Sequence, residues 1–341
     1  MRWSGYRAAL AAAVIVGYAG MVAVPVASAA TTLPAHVYAP YYEGWVSGSM
    51  ASTAQASGAR VFTLAFLQTT GKGSCTLAWG GSKSQTIGSS KWMADIADLR
   101  ALGDDVIPSF GGWSADQGGT EIGDSCKDPK LIAAAYEGVV ERYDVTRLDM
   151  DIEGNSLTNT AGIDRRNKAI KMLQDWAPTA NRTVQVQYTL PTTRAGLAPS
   201  GLAVLQNAVA NGVAIDLVNP MAFDYYDRAT TPMGQSAINA LTGLHAQLAA
   251  LLPTWSSGQI WAAEGVTLMI GLDDYKRKTE VTTLADASAV LSFARANGLS
   301  AISIWAIQRD NGGCTTVSGS CSGIVQGTWD FSHLLEGFTA G

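Results

Sequence analysis

The stretch 146–154, Thr-Arg-Leu-Asp-Met-Asp-Ile-Glu-Gly, constrains the fold more tightly than any other part of the chain. Successive side chains of a strand point to opposite faces, so Asp149, Asp151 and Glu153 share one face and Leu148, Met150 and Ile152 the other. At ~6.6 Å between alternate residues, two ionised carboxylates repel by about 2.5 kcal/mol at an effective dielectric of 20. That approaches two pKa units, enough to keep a proton in the row near neutral pH. A proton held beside a carboxylate is what glycosidic bond cleavage requires. The alternative is an edge strand with a solvated acidic face. The elements around the row favour a barrel interior.

Apolar strand-like runs alternate with helical stretches along the rest of the chain. Strands are predicted over 37–41, 60–66, 106–110, 147–152, 183–188, 215–221, 266–270 and 301–305. Helices are predicted over 50–56, 91–102, 129–143, 163–176, 200–210, 237–252 and 284–296, with a terminal one near 332–337. Eight strand–helix units in about 300 residues imply an α/β fold, a single (β/α)8 TIM barrel. Only about a dozen residues separate the seventh strand from its helix, too few for an inserted α+β subdomain. A doubly wound open sheet is the runner-up, but no glycine-rich phosphate turn follows the first strand.

A net charge of −5 gives no basic footprint for nucleic acid. Ten tryptophans suit a cleft in which sugar faces stack on indoles, although most are expected to serve ordinary packing. Residues 1–29 read as a secretory signal: Arg2 and Arg7, then an apolar centre, then Ala27-Ser28-Ala29. An uncleaved membrane anchor competes with that reading, but Gly17, Gly20 and Pro25 interrupt the run and no charged cluster follows. The expectation is a signal over 1–29 and a secreted, extracellular barrel over 30–341, a monomer free of the membrane once cleaved. In an exported chain, four cysteines read as two disulfides, Cys314 with Cys321 in one short loop and Cys75 with Cys126. Neither pair has the spacing of a zinc knuckle, and the only histidines are His36, His245 and His333, so no metal and no cofactor are expected.

In a parallel barrel the chemistry sits at the carboxyl ends of strands. Those ends carry Ser109-Phe110-Gly111-Gly112-Trp113, the acidic row, Gln187-Tyr188, Met221-Ala222-Phe223-Asp224-Tyr225-Tyr226-Asp227 and Trp305. The set Ser109-x-Gly111-Gly112, Asp149-x-Asp151-x-Glu153, Met221-x-x-Asp224 and a closing Trp305 resembles glycoside hydrolase family 18, especially its bacterial secreted chitinases. The likeness runs from about 36 to 329.

The resemblance implies roles at matching positions. Glu153 is expected to act as general acid and then base, with the substrate's own 2-acetamido oxygen as nucleophile, an exception to the two-carboxylate scheme. Asp151 would hold the acetamido N–H, and Asp149 would share a proton with Asp151. Asp224 and a phenol would grip the sugar over a floor formed by Trp305. The residues agree that a second catalytic carboxylate is missing. The seventh strand ends in Met269-Ile270-Gly271, Glu264 precedes it, and Asp273 and Asp274 in the next loop are not expected to reach back.

Three positions depart from the family pattern. Thr146 replaces an acid, Arg147 replaces a small glycine, and Phe223 stands where a tyrosine is usual. Tyr225 or Tyr226 could supply the absent hydroxyl, and Tyr225 is favoured because it directly follows Asp224. Trp45 and Trp113 are candidate sugar platforms. Tyr188 is expected to line the site; Gln187 alternates with it, so only one of the two faces inward, and Tyr41 and Tyr42 pose the same choice. The expected substrate is chitin or N-acetylglucosamine oligosaccharides. An endo-β-N-acetylglucosaminidase acting on glycoprotein glycans and a non-catalytic sugar-binding barrel are the alternatives.

Overall fold

The computed structural model describes residues 33–274 and 279–339; the predicted signal lies outside them. Strand β1 comes in two pieces, Val37–Tyr38 and Tyr41–Glu43. The break falls at Pro40, which has no N–H to give to a ladder. Then follow β2 Val61–Thr69, β3 Asp105–Gly111, β4 Arg147–Asp151, β5 Gln185–Thr193, β6 Leu217–Met221, β7 Gly265–Met269 and β8 Ala301–Trp305. The first piece of β1 pairs in parallel with β8 and the second with β2, which closes the sheet into a barrel.

Among the described helices, eight that follow the strands surround it: α1 Met50–Ser57, α2 Ser90–Arg100, α3 Pro129–Tyr143, α4 Thr160–Thr179, α5 Pro199–Ala210, α6 Met233–Leu251, α7 Leu284–Asn297 and α8 Asp330–Leu335. Their starts follow local chemistry. Asp128 caps α3 ahead of Pro129, and Thr283 forms a capping box with Asp286 at α7. The fold is the expected single (β/α)8 barrel. Strands β2 and β5 outrun their predicted ends because each gains an antiparallel partner, Leu77–Trp79 and Gly196–Leu197 respectively. Between β7 and α7 stands a small hairpin, Gly271–Leu272 against Val281–Thr282, and no subdomain.

The two faces of the barrel wall differ in chemistry. Outward side chains such as Leu148, Met150 and Val186 are buried beneath the helices. Toward the axis lie Ser109, Asp149, Gln187, Thr189, Asn219 and Thr267, all buried and polar. Asn219 Nδ2 donates to Thr189 Oγ1 at 3.0 Å and to Thr267 Oγ1 at 2.7 Å, which joins β5, β6 and β7 across the lumen. A buried polar group without a partner costs roughly 1–3 kcal/mol, so this network fixes the strand register.

Both expected disulfides are present, Cys75–Cys126 and Cys314–Cys321. The first ties the loop after β2 to the end of the short helix Ile122–Ser125, just ahead of α3, across a sequence separation of 51. Closing a loop of that size removes about 4 kcal/mol of unfolded-chain entropy in the simplest model. Replacing both cysteines by serine is therefore expected to lower the unfolding free energy by about 2–4 kcal/mol in denaturant titrations. A loss below ~0.5 kcal/mol would show that this cross-link does not constrain the unfolded chain.

Candidate active site

The carboxyl end of β4 carries the acidic row, and each acid meets a different environment. Asp149 is deepest and fully buried. Its Oδ1 accepts from Gln187 Nε2 at 3.0 Å and Thr189 Oγ1 at 2.6 Å; its Oδ2 accepts from Tyr41 Oη at 2.8 Å and Ser109 Oγ at 2.6 Å. Burial raises its pKa, and these four donors pull it back toward the ionised form. Asp151 is also buried, but its Oδ1 has no partner. Burial pushes its carboxyl well above the usual range, and the charges of Glu153, Asp149 and Asp116 push the same way. Of these two neighbours, Asp151 is the one pushed further toward the protonated form.

Glu153 lies just past the end of β4, yet its backbone stays extended (φ −132°, ψ −179°), so the alternation carries through to it. Its carboxyl is raised to about 7. Desolvation is the main cause, a hydrogen bond from the Trp113 backbone opposes it, and the charge of Asp224 adds to it. Asp116, buried in the short helix Trp113–Gly118, accepts the Glu153 backbone N–H. Its burial pushes its own carboxyl well up, and sequence reading passed over it because nothing marks it locally.

The two glycines after Ser109 have a steric reason. At Gly111 (φ 99°) a Cβ would fall 2.1 Å from the Asp151 carbonyl oxygen, and at Gly112 (φ 80°) 2.7 Å from the Phe66 ring. The Gly112 N–H donates to Asp151 O at 3.1 Å, so this turn locks the loop after β3 against the row. Ser109 faces the lumen and serves Asp149 rather than the cleft wall.

Above the row opens a cleft of about 530 Å³. Trp305 stacks on Phe66 with ring centroids 5.6 Å apart, and Trp45 stacks on Phe66 at 6.2 Å. Trp45 and Trp113 stand 60% and 61% exposed beside the cleft. Met221 and Asp224 line it as well. Asp224 is raised to about 6, first by desolvation and then by the neighbouring charge of Asp274.

Three expectations are corrected. Tyr188 does not line the cleft: it points outward, and its hydroxyl donates to Asn167 Oδ1 of α4 at 2.9 Å. Strand parity gives the inward place to Gln187, as it gives Tyr41 the inward place over Tyr42. Tyr225 turns away to pack under the Arg194 guanidinium, 4.4 Å from the ring centroid. Of the two, Tyr226 lines the cleft, hydrogen-bonded to Asp224. Asp274, not expected to reach back, lines the cleft too. Arg147 lies at the opposite end of β4, bonded to Gln185, and Thr146 only lends its carbonyl to the β5 ladder. Among the described residues, no three His, Cys, Asp or Glu side chains are grouped to hold a metal ion.

The sequence profile described as Glycosyl hydrolases family 18 matches residues 37–308. The chain is 33% identical over 319 residues to the "Probable bifunctional chitinase/lysozyme" of Escherichia coli (strain K12), across 90% of this chain and 35% of that protein. It is 33% identical over 288 residues to "Endochitinase 11" of Metarhizium anisopliae, across 81% of this chain and 53% of that protein. The chain thus spans 35% to 53% of the length of these curated relatives. Among solved structures it is similar to active domain 2 of the chitinase from Pyrococcus furiosus, with a TM-score of 0.79 and 30% identity. That match covers 91% of this chain and 96% of that one.

The electrostatics of the row are open to direct titration. Carboxyl carbon NMR, with Glu153 assigned through Glu153→Gln, is expected to place its midpoint near 7, well above an exposed glutamate. Because the Asp224 charge raises it, Asp224→Asn is expected to move that midpoint down. A midpoint near 4.3 in the intact protein would contradict this assignment of the environment.

Proposed function

The chain belongs to glycosyl hydrolases family 18, and from that premise we propose that it is a chitinase cutting β-1,4 links between N-acetylglucosamine units by a retaining, substrate-assisted route. The observation that carries the reading is Glu153: a half-buried acid with its pKa near 7, in an aromatic-walled cleft and beside a carboxyl pushed well toward the protonated form. Glu153 donates its proton to the leaving oxygen and later takes one from the incoming water. The acetamido oxygen attacks the anomeric carbon. Asp151 accepts the acetamido N–H on the carboxyl oxygen that carries no proton. Trp305 supports the reacting ring from below, and Trp45 and Trp113 stack on neighbouring sugars. The residues 1–29 read as a secretory signal, which supports export of the enzyme.

Asp274 puts another carboxylate at the cleft, so the nucleophile has to be tested rather than inferred by elimination. An acetamido nucleophile requires that a β-1,4 oligomer bearing hydroxyl in place of the acetamido group be inert. Comparable cleavage of the two would assign the attack to a protein carboxylate. Product from an N-acetylglucosamine hexamer is expected to appear first as the β-anomer, and initial α-anomer would contradict retention.

Glu153→Gln keeps the shape of the side chain but has no acidic proton to give. Turnover is expected to fall by about 10²–10⁴-fold, the ordinary worth of a general acid. Binding of the hexamer measured by calorimetry is expected to persist. Full activity in that variant would remove Glu153 from the chemistry. Parallel assays on colloidal chitin and a high-mannose glycoprotein assign the natural polymer.

A further inference from the structure

The chain leaving β6 takes an unusual path. Asp224, Tyr226 and Arg228 have φ of 51°, 55° and 59°, a region that side-chain-bearing residues adopt at a cost on the order of 1 kcal/mol each. Such turns gather successive backbone N–H groups into a concavity that suits an anion. Here the anions come from the protein itself. Glu280, fully buried, accepts the Tyr225 N–H on Oε2 at 2.8 Å and the Tyr226 N–H on Oε1 at 2.9 Å. Asp273 Oδ2 accepts the Asp224 N–H at 3.3 Å. Both acids lie within the hairpin between β7 and α7, Asp273 just after its first strand and Glu280 just before its second, and the hairpin is itself anchored: buried Arg309, just after β8, donates to the carbonyls of Ile270 and Leu272.

The held backbone decides where two adjacent rings go. Tyr225 is sent beneath Arg194 and Tyr226 over the cleft, where it remains 58% exposed with its hydroxyl on Asp224. Phe223 also lines the cleft and has no hydroxyl to offer. We propose that Glu280 is a positioning residue of the sugar site: by binding the N–H groups of Tyr225 and Tyr226 it holds the Tyr226 phenol over the cleft, in the role that Phe223 cannot fill. The inference rests on reading the cleft as an N-acetyl sugar site. Glu280 touches no substrate and acts only through the loop. The hairpin after β7 thereby becomes part of substrate recognition although no subdomain rises from it.

A grip present equally in the ground state and the transition state changes KM and leaves kcat alone. Glu280→Ala is therefore expected to raise KM for an N-acetylglucosamine hexamer about tenfold while kcat changes less than about threefold. Glu280→Gln keeps a single acceptor oxygen, is the variant more certain to fold, and is expected to fall between. Tyr226→Ala is expected to raise KM by a similar factor. Adding Glu280→Ala to Tyr226→Ala is expected to cost less than about twofold more, because the two changes remove one grip. Thermal melts accompany each variant.

Independent, multiplying losses in the double variant would overturn the proposal, since they would mark Glu280 as a general stabiliser of the loop. Unchanged KM in both Glu280 variants of an active enzyme would overturn it as well, and would leave the sugar-site reading intact. A wild-type protein that neither cleaves nor binds the hexamer would instead bring down the sugar-site reading and this proposal with it.

Discussion

The buried carboxylate of Asp149 is the interaction around which the rest is arranged. A charge at the axis of a barrel is tolerable only if its desolvation is offset by donors. Here β1, β3 and β5 supply them all, through Tyr41, Ser109, Gln187 and Thr189. Each carboxylate oxygen already accepts two hydrogen bonds, so the four lone-pair positions are filled and none is left for a proton. The same bonds fix the register of four strands. They also extend through Asn219 to β7.

From that fixed charge the row grades outward. Asp151 is also buried, has an oxygen without a partner and faces acids on several sides, so it is pushed well toward the protonated form. Glu153 is less enclosed, with its carboxyl near 7 and its backbone tied by Asp116. Three acids of nearly the same intrinsic strength are thus separated by surroundings alone: Asp149 held back toward the ionised form by four donors, Asp151 pushed furthest toward the neutral form, and Glu153 raised to about 7. Substrate would enter from the poised end, where Trp45, Phe66 and Trp305 provide an apolar wall.

The strands, the helices and the acidic row were legible in the sequence because period-two and helical patterning survive wherever one face is buried. Both disulfides followed from cysteine count and loop placement. Parity was not legible where two polar residues adjoin. Gln187 and Tyr188 each have a polar group to satisfy, and only the position of Asn167 on α4 shows which one faces out. Tyr225 and Tyr226 were misassigned for a different reason: adjacency to Asp224 predicts proximity along an ordinary strand, whereas left-handed residues on both sides of Tyr225 reverse the directions. Asp274 and Glu280 lie on loops, where no periodicity reports direction, and Asp116 lies on a six-residue helix, Trp113–Gly118, too short to show one. Their acidity was visible, but their partners were distant in sequence.

The central claim concerns where one proton resides, and neutron diffraction from deuterium-exchanged crystals of the free protein near pH 7 tests it most directly. The account predicts deuterium on Asp151 and none on either oxygen of Asp149, with the Tyr41, Ser109 and Thr189 hydroxyl deuterons directed toward Asp149. Deuterium on Asp149 beside a bare Asp151 would contradict it.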